Sequence, residues 1–507
     1  MKKKIVNLTD INDLVISLKK KGKKIVQCHG VYDLIHIGHL KHFNSAKKFG
    51  DILIVSVTPD KFVQKGFNRP YFKSEERIQS LSLVETIDYV VLNNSENAVN
   101  IIKKIKPHYY CKGPDYKNFK DDITNQIQKE VTALKSVGGK IVYTDDPVYS
   151  SSAILNNMSE IYDLSQKSFI NKIRSKINLD DFSKKIEKLK KLKVLIIGET
   201  IIDKYVFCEA LGKSGKEPHL VLKDLREENY PGGVIAIARS VSNFCKKVTV
   251  LSALGRNKES EKFLKKEISK NIKTKFLYRA KSPTIVKKRY IEHITNNKVL
   301  GIYTLNDDLL NKKEESIFQN MVEKEIKKND IVIVSDYGHG LITNKIARLL
   351  CKKSKFLALN TQLNSSNVGY HTIQKYNNVD CVVMNESELR QELRDKNEKT
   401  LSLAKKLSNI IKINKIIITK GSSGALLYNS KNKKSFSCPA FASKIVDKVG
   451  AGDSMLSIIA ILIKLKFDNL IALLLGSLAA ALTVEEVSNK VPIKKTKLLK
   501  YFNHILR

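Results

Sequence analysis

Residues 25–39 read Ile25-Val26-Gln27-Cys28-His29-Gly30-Val31-Tyr32-Asp33-Leu34-Ile35-His36-Ile37-Gly38-His39, and everything around them is read from this stretch. The apolar run Ile25 to Cys28 predicts a buried strand, and Gly30 ends it. Two imidazoles then stand three residues apart where a helical pattern, Leu40 to Phe49, begins. A strand that feeds a glycine loop and then a helix is the opening of an α/β unit. Further short strands are predicted at Ile52–Val57, Val90–Leu92, His108–Cys111 and Lys140–Tyr143, with helical patterns between them. That alternation implies a parallel, doubly wound sheet.

A second such unit opens at Val194-Leu195-Ile196-Ile197-Gly198, again an apolar strand closed by glycine. Strands are predicted at Val248–Ser252, Ile331–Ser335, Phe356–Leu359, Cys381–Met384 and Lys415–Thr419. Between the two units, Ile161–Ile177 reads as an amphipathic helix and Lys184–Lys193 as a solvated basic one. The division expected is therefore 1–160, a basic helical linker over 161–190, and 191–507.

The chain has 507 residues, of which 42% are hydrophobic and 28% charged, which excludes a disordered class. Its net charge of +39 favours anionic ligands. The basic residues are mostly lysine and run through both halves, so they read as a compositional bias and not as a nucleic-acid footprint. Seven scattered cysteines without a CxxC pair exclude a disulfide framework or a zinc ribbon and suit a reducing cytoplasm. Asp10 and Asp13 interrupt the basic-apolar start, so no signal segment is read. The apolar run Leu470–Val484 would span only ~22 Å as a helix, against ~30 Å of hydrocarbon. It is expected to be a buried core helix, and no membrane partner is expected.

Two motifs carry chemistry. In His36-Ile37-Gly38-His39, Gly38 leaves room for a phosphate, and helix amides, the helix dipole and two imidazoles converge on one anion. That suits nucleotidyl transfer, in which charge develops on phosphate oxygens. In Asp447-Lys448-Val449-Gly450-Ala451-Gly452-Asp453-Ser454, small residues expose consecutive N–H groups before an apolar helix. Gly450, Ala451 and Gly452 would form an anion hole, with Asp453 placed to accept a hydroxyl proton.

The run Gly30 to His39, followed by Lys41, resembles the signature of the cytidylyltransferase-like nucleotidyltransferases. Glu75-Glu76-Arg77 resembles that family's helical arginine. Lys112-Gly113-Pro114-Asp115-Tyr116 and Ser150-Ser151-Ser152 are similar to segments of the bifunctional heptose-phosphate kinase/adenylyltransferases. The resemblance spans roughly residues 24–160 and implies a Rossmann-like domain. It implies that His36 and His39 stabilise the pentavalent phosphorus and that Asp33 orders the loop. It further implies nucleotide contacts from Gly30, Tyr32, Asp33, Gly38, Lys41, Arg77, Lys112, Ser151 and Ser152. Glycerol-3-phosphate cytidylyltransferase is a more distant match. HxGH is shared by ATP- and CTP-dependent families, and the KGxDY-like segment leans towards ATP.

From about residue 190 onward the chain resembles the ribokinase-like (PfkB) carbohydrate kinases. Gly198-Glu199-Thr200-Ile201-Ile202-Asp203 looks like their opening strand and substrate aspartate, and Pro231-Gly232-Gly233 like their glycine signature. Thr284–Arg289 and Ser335–Gly340 are similar to heptose-kinase segments, Asn385–Glu388 to the NxxE motif, and Thr419–Gly424 to the nucleotide loop. The implied roles are Asp453 as base, and Asp203, Gly232, Gly233 and Arg289 on the sugar. Asn385 and Glu388 would support Mg²⁺, Glu388 through water, and Thr419, Gly421 and Gly424 would bind the nucleotide. The cationic run Lys287-Lys288-Arg289 predicts an acceptor that already carries a phosphate.

The sequence departs from the heptose-kinase pattern at Ala236, where a sugar-binding Asn is usual, at Lys448-Val449 and at Asn360-Thr361-Gln362. It also reverses the kinase-first order of the heptose enzymes. The expectation is a cytoplasmic, bifunctional, ADP-heptose-like pathway enzyme acting on sugar phosphate and nucleotide, with Mg²⁺ and ATP (or CTP in the first half). The resemblance implies a homodimer. The alternative is a nucleotidyltransferase whose kinase-like half only binds ligand or dimerises.

Overall fold

A computed structural model describes residues 4–63, 69–114, 126–145, 162–255, 258–364 and 366–506. The chain forms two compact units, residues 1–164 with 499–507, and residues 165–498.

In the first unit, six described strands form one sheet: β1 Ile5–Val6, β2 Ile25–Gly30, β3 Ile52–Val57, β4 Tyr89–Leu92, β5 Tyr109–Lys112 and β6 Lys140–Tyr143. Their order is β1-β4-β3-β2-β5-β6, and every pairing is parallel. The period of two decides which face each side chain meets. Ile25, Ile54 and Val91 pack with Ile11, Val15, Ile101 and Ile105 on one face. Val26, Cys28, Leu53 and Val55 pack with Phe43, Ala46, Ile78 and Leu81 on the other. The strand order reverses between β2 and β5, where an open α/β sheet leaves a crevice at its carboxyl edge. Gly30 and Lys112 end those two strands.

The second unit has a larger mixed sheet. Its strands are β7 Lys193–Gly198, β10 Lys247–Gly255, β11 Ile272–Arg279, β14 Ile331–Asp336, β15 Leu357–Thr361, β16 Val379–Asn385, β17 Ile413–Thr419, β18 Ala425–Asn429 and β19 Lys434–Cys438. The order is β11-β10-β7-β14-β15-β16-β17-β18-β19, with antiparallel pairing only at β17–β18–β19. Reversal falls between β7 and β14, where Ser335 sits beside Gly198. A second sheet, in the order β13-β12-β8-β9, comprises β8 Thr200–Lys213, β9 Leu220–Gly233, β12 Ile285–Glu292 and β13 Lys298–Thr304. Sequence patterning missed most of this sheet. Its outer strand ends are exposed and charge-rich, as in Lys223-Asp224-Leu225-Arg226-Glu227-Glu228, so they show no clean alternation.

The expected core helix is present as Asn469–Val484, buried along nearly its whole length. Among the described residues no helix is long and apolar enough to cross a membrane. The segment expected to link the units contains the helices Leu164–Arg174 and Leu179–Leu189. Both have a buried apolar face: Phe169 lies against Phe441, and Phe182 meets Phe467 edge-on with ring centroids 5.9 Å apart. The second helix is thus part of the second unit's packing, with its lysines on the solvent side. Phe182→Ala is expected to destabilise that unit by about 3 kcal/mol or more. Lys188→Ala, at an exposed site of the same helix, should stay within about 0.5 kcal/mol in a denaturant titration.

Candidate active sites

In the first unit, His36 caps the helix Ile37–Lys47, and its Nδ1 accepts the Gly38 N–H at 3.1 Å. The His36 and His39 rings stack with centroids 4.0 Å apart, and Tyr32 meets His39 edge-on at 5.4 Å. Tyr32 holds a left-handed backbone, φ 52°, which turns its ring back over Gly30. A Cβ at Gly30 would press into that ring at 2.9 Å, so any larger residue there would displace the Tyr32 side chain. The two imidazoles therefore share one face at the start of the helix, beside its first turn. Lys41 is exposed on the same helix.

Asp33 is buried and binds the loop that faces it. Its carboxylate accepts the N–H groups of Tyr71 and Phe72 at 2.7 and 3.0 Å and pairs with Arg69 at 2.6 Å. Arg77, expected at a phosphate, is held by protein partners. Its guanidinium is buried and donates to the carbonyls of Phe72, Val31 and Thr58 and to Asp60. It braces the loop on which Tyr32 and Asp33 stand. Lys112 is likewise buried and paired with Glu130 at 3.1 Å. Sequence reasoning reads a cation near a phosphate motif as a ligand, and only the tertiary contacts reveal these partners. Asp115, Tyr116, Ser150, Ser151 and Ser152 lie outside the described residues.

In the second unit, the helix Ala451–Lys464 begins at Gly450, whose φ of 85° suits glycine. A Cβ there would collide with Asn489. Asp453 lies in the first turn and accepts the Tyr337 hydroxyl at 2.8 Å. Burial pushes its carboxyl up to about 6, against the lowering effect of the Tyr337 bond. Asp203, on β8, pairs with Arg289 on β12. Gly232 permits this, since a Cβ there would collide with Asp203 Oδ2. Gly233, at φ 56°, turns β9 into the helix Val234–Val241 past the Glu199 carbonyl. Strand alternation splits the cationic run. Lys287 and Arg289 share the face that carries Asp203, while Lys288 lines a separate cavity with Lys204, Asn229 and Phe263. Lys287 is buried over the rings of Tyr303 and Tyr337, and burial lowers its ammonium pKa.

Glu199 is a site residue whose role the sequence did not reveal. Its carboxylate accepts the N–H groups of Tyr337 and His339 at 3.0 and 3.2 Å, across the β7–β14 switch. Burial, with Asp336 nearby, pushes it up to about 7. Asp336 in turn accepts from Tyr376 at 2.7 Å and pairs with Lys375 at 2.6 Å. The signal available in sequence was two acidic residues ending adjacent apolar strands.

Asn385 and Glu388 form a capping box on the helix Glu386–Leu393. Glu388 accepts the Asn385 and Leu363 amides at 2.7 and 3.4 Å, and burial pushes it up to about 7. Asn385 pairs in register with Thr419. Gly421 and Gly424 follow with φ of 57° and 83°. All these groups sit at the carboxyl ends of parallel strands.

Two family models match separate parts of the chain. A family model described as pfkB family carbohydrate kinase matches residues 191–496. A cytidylyltransferase-like model matches residues 28–157. A relative named bifunctional protein HldE, from Aliarcobacter butzleri, is 38% identical over 138 residues, covering 27% of this chain and 29% of that protein. Another of that name, from Campylobacter jejuni, is 28% identical over 310 residues, covering 59% and 62%. The chain thus spans less than two thirds of these relatives' length. The structure of phosphofructokinase-2 from Escherichia coli is 15% identical at a TM-score of 0.50, covering 62% of this chain and 99% of that one. The C-terminal unit has that ribokinase-like fold.

Asp453 also generates a stability prediction. A carboxyl whose folded pKa is raised retains its proton on folding, so stability falls as pH rises between the ordinary carboxylate range and about 6. Asp453→Asn removes that loss. Its melting temperature should exceed the wild type's by a larger margin at pH 8 than at pH 4. An equal margin at both would contradict the burial of a charged Asp453.

Proposed function

Because residues 191–496 place this chain in the pfkB family of carbohydrate kinases, we propose that it is a bifunctional transferase with one active site in each unit. One site phosphorylates a sugar or sugar phosphate. The other transfers a nucleotidyl group to a sugar phosphate, giving an ADP-heptose-like activated sugar for surface polysaccharide. The observation that carries the reading is that each unit sets its own reactive side chain at a glycine-lined helix N-terminus. Those side chains are Asp453 beside Gly450 to Gly452 in one unit, and His36 and His39 around Gly38 in the other.

In the kinase site, Asp453 accepts the proton of the attacking hydroxyl. A carboxyl near 6 is ionised at neutral pH yet basic enough to help. The amides at Gly450, Ala451 and Gly452 stabilise charge on the transferred phosphoryl group. Asp203, held by Arg289 and admitted by Gly232, orients the sugar beside Gly233. Thr419, Gly421 and Gly424 line the nucleotide. Asn385 and Glu388 offer hard oxygens that fit a cation retaining its water, and Mg²⁺ there would neutralise phosphate charge. In the other site His36 and His39 donate to the α-phosphate oxygens, while Gly30, Tyr32, Asp33 and Lys41 shape its rim. ATP is the proposed nucleotide for both, with CTP the alternative for the first unit. The proposed setting is the cytoplasm and the proposed assembly a homodimer.

A second reading, in which the kinase-like unit only binds ligand, is motivated by Ala236, a small apolar residue where the family commonly has Asn. Mass spectrometry of products from ATP or CTP with a panel of sugars and sugar phosphates separates the two. His39→Ala is expected to lower pyrophosphate release ~10²–10³-fold and spare phosphorylation. Asp453→Asn is expected to lower phosphorylation ~10²–10⁴-fold and spare nucleotidyl transfer. A phosphorylation rate of zero in the wild type would favour the second reading.

The acceptor is proposed to carry a phosphate already. Lys287 is a buried cation on the Asp203 face with no carboxylate at ion-pair distance among the described residues. A charge-assisted contact of ~1.5–3 kcal/mol corresponds to roughly 10–100-fold in affinity. Lys287→Met should lower kcat/KM for the phosphorylated acceptor by that factor and change the free sugar far less. Arg289→Ala should impair both, because it also releases Asp203. Equal kinetics for the matched pair, unmoved by Lys287→Met, would contradict this assignment.

A further inference from the structure

One side-chain cluster in the first unit is used by neither proposed reaction. Cys28 on β2 and Cys111 on β5 occupy paired positions of adjacent parallel strands. Both are buried on the face packed against the helix Ile37–Lys47. That helix supplies His42, whose Nε2 lies 3.5 Å from Cys28 Sγ. One ligating atom from each of Cys28, His42 and Cys111 falls within 4.8 Å of the others. The second ring nitrogen of His42, Nδ1, lies 3.0 Å from Thr144 Oγ1.

We propose that Cys28, Cys111 and His42 form a zinc site, with Thr144 orienting the imidazole. Two thiolates and one imidazole are a soft, borderline donor set that suits Zn²⁺ and not Mg²⁺ or Ca²⁺. Zn–S near 2.3 Å and Zn–N near 2.0 Å set tetrahedral ligand separations of roughly 3.5–3.8 Å. The Cys28–His42 distance already meets that, and small side-chain movements bring in the third. Metal-bound histidines hold their second nitrogen with an oxygen partner, and Thr144 is such a partner.

The charge balance is favourable. Binding forms two Zn–S bonds and one Zn–N bond and releases the two thiol protons, so the buried ion and its thiolates sum to zero. His29, also nearby, is not a ligand, because Ser56 and Thr58 engage both of its nitrogens. His42 is only half-buried, which leaves a route for the metal and the fourth coordination position for water. The site would pin the strand that leads into Gly30, and the one that ends at Lys112, to the helix bearing His36 and His39. Its role is positioning, and it is independent of which nucleotide or sugar the chain uses.

The test is metal binding by the full chain, read without any activity assay. Zinc per chain is measured by elemental analysis and by competition with a chromogenic chelator. Cobalt is then substituted as a spectroscopic probe. The expected result is one zinc per chain, with thiolate-to-cobalt charge-transfer bands and tetrahedral d–d bands. Cys28→Ser/Cys111→Ser should lose both signals. Thr144→Val should keep the stoichiometry and weaken affinity ~10–100-fold. Failure of the wild type to compete for zinc, a cobalt spectrum without thiolate bands, or wild-type affinity in the double variant would each overturn the proposal. Should the double variant not fold, the wild-type cobalt spectrum still decides.

Discussion

Parallel pairing aligns strand ends, and in both units the ends carry the chemistry. Ser335 stands beside Gly198, and Cys28 beside Cys111. At each reversal of strand order the two loops diverge and leave a crevice. A backbone carbonyl or amide at such an edge has no further strand to bond, so the loops must find other partners or a ligand. Glu199 is the partner in the second unit. By accepting the Tyr337 and His339 amides it fixes the loop that delivers the Tyr337 hydroxyl to Asp453. Asp33 does the equivalent in the first unit, holding Tyr71 and Phe72 beside the histidine motif.

These arrangements work against stability. Glu199, Glu388 and Asp453 are all pushed upward by burial. Each favours the protonated form that neutral water would remove, and Asp453, which faces only hydroxyls, is the one the fold would hold more easily if it were an amide. Retention of carboxyls at such positions is the ordinary signature of a site tuned for proton transfer and not for stability. Glu199 and Glu388 have structural uses for their oxygens, in accepting backbone amides. Asp453 accepts only hydroxyls, which leaves it the one of the three best suited to exchange a proton with a ligand.

What was legible in the sequence was whatever lies within one loop. His36 to His39 and Gly450 to Asp453 are contiguous, so spacing alone placed their amides and side chains together. The central strands were equally legible, because burial on both faces makes them continuous apolar runs. The β8–β9 and β12–β13 sheet was not, because it is half-exposed and charged along its outer length. Arg77 and Lys112 were assigned by motif, and the carboxylates they pair with, Asp60 and Glu130, could not be read from it. The Cys28–Cys111–His42 cluster is the sharpest case. The absence of CxxC argued against a compact zinc motif, yet parallel pairing joins two cysteines far apart in sequence. Periodicity gives the face each points to, but not which strand is its neighbour.

The excess of positive charge misleads for a related reason. A net +39 suggests surfaces built to attract anions. Near the candidate sites, however, most cations other than Lys41 and Lys287 are already matched: Arg69 with Asp33, Arg77 with Asp60, Lys112 with Glu130, Arg289 with Asp203, Lys375 with Asp336 and Lys298 with Asp447. A buried cation with a carboxylate at contact distance has little field left for a phosphate, and breaking such a pair leaves an uncompensated charge. The proposed anion hole of the second unit instead uses groups that carry no formal charge, the amides at Gly450 to Gly452, which need no desolvated counter-ion and are fixed by the helix behind them. Against that background Lys287 stands apart. It is buried, close to Asp203 and Asp453, and matched to neither. A charge so placed is stable only if its surroundings hold it or a ligand completes it, and the Tyr303 and Tyr337 ring faces supply only part of that stabilisation. The remainder is what the phosphate of the proposed acceptor would provide.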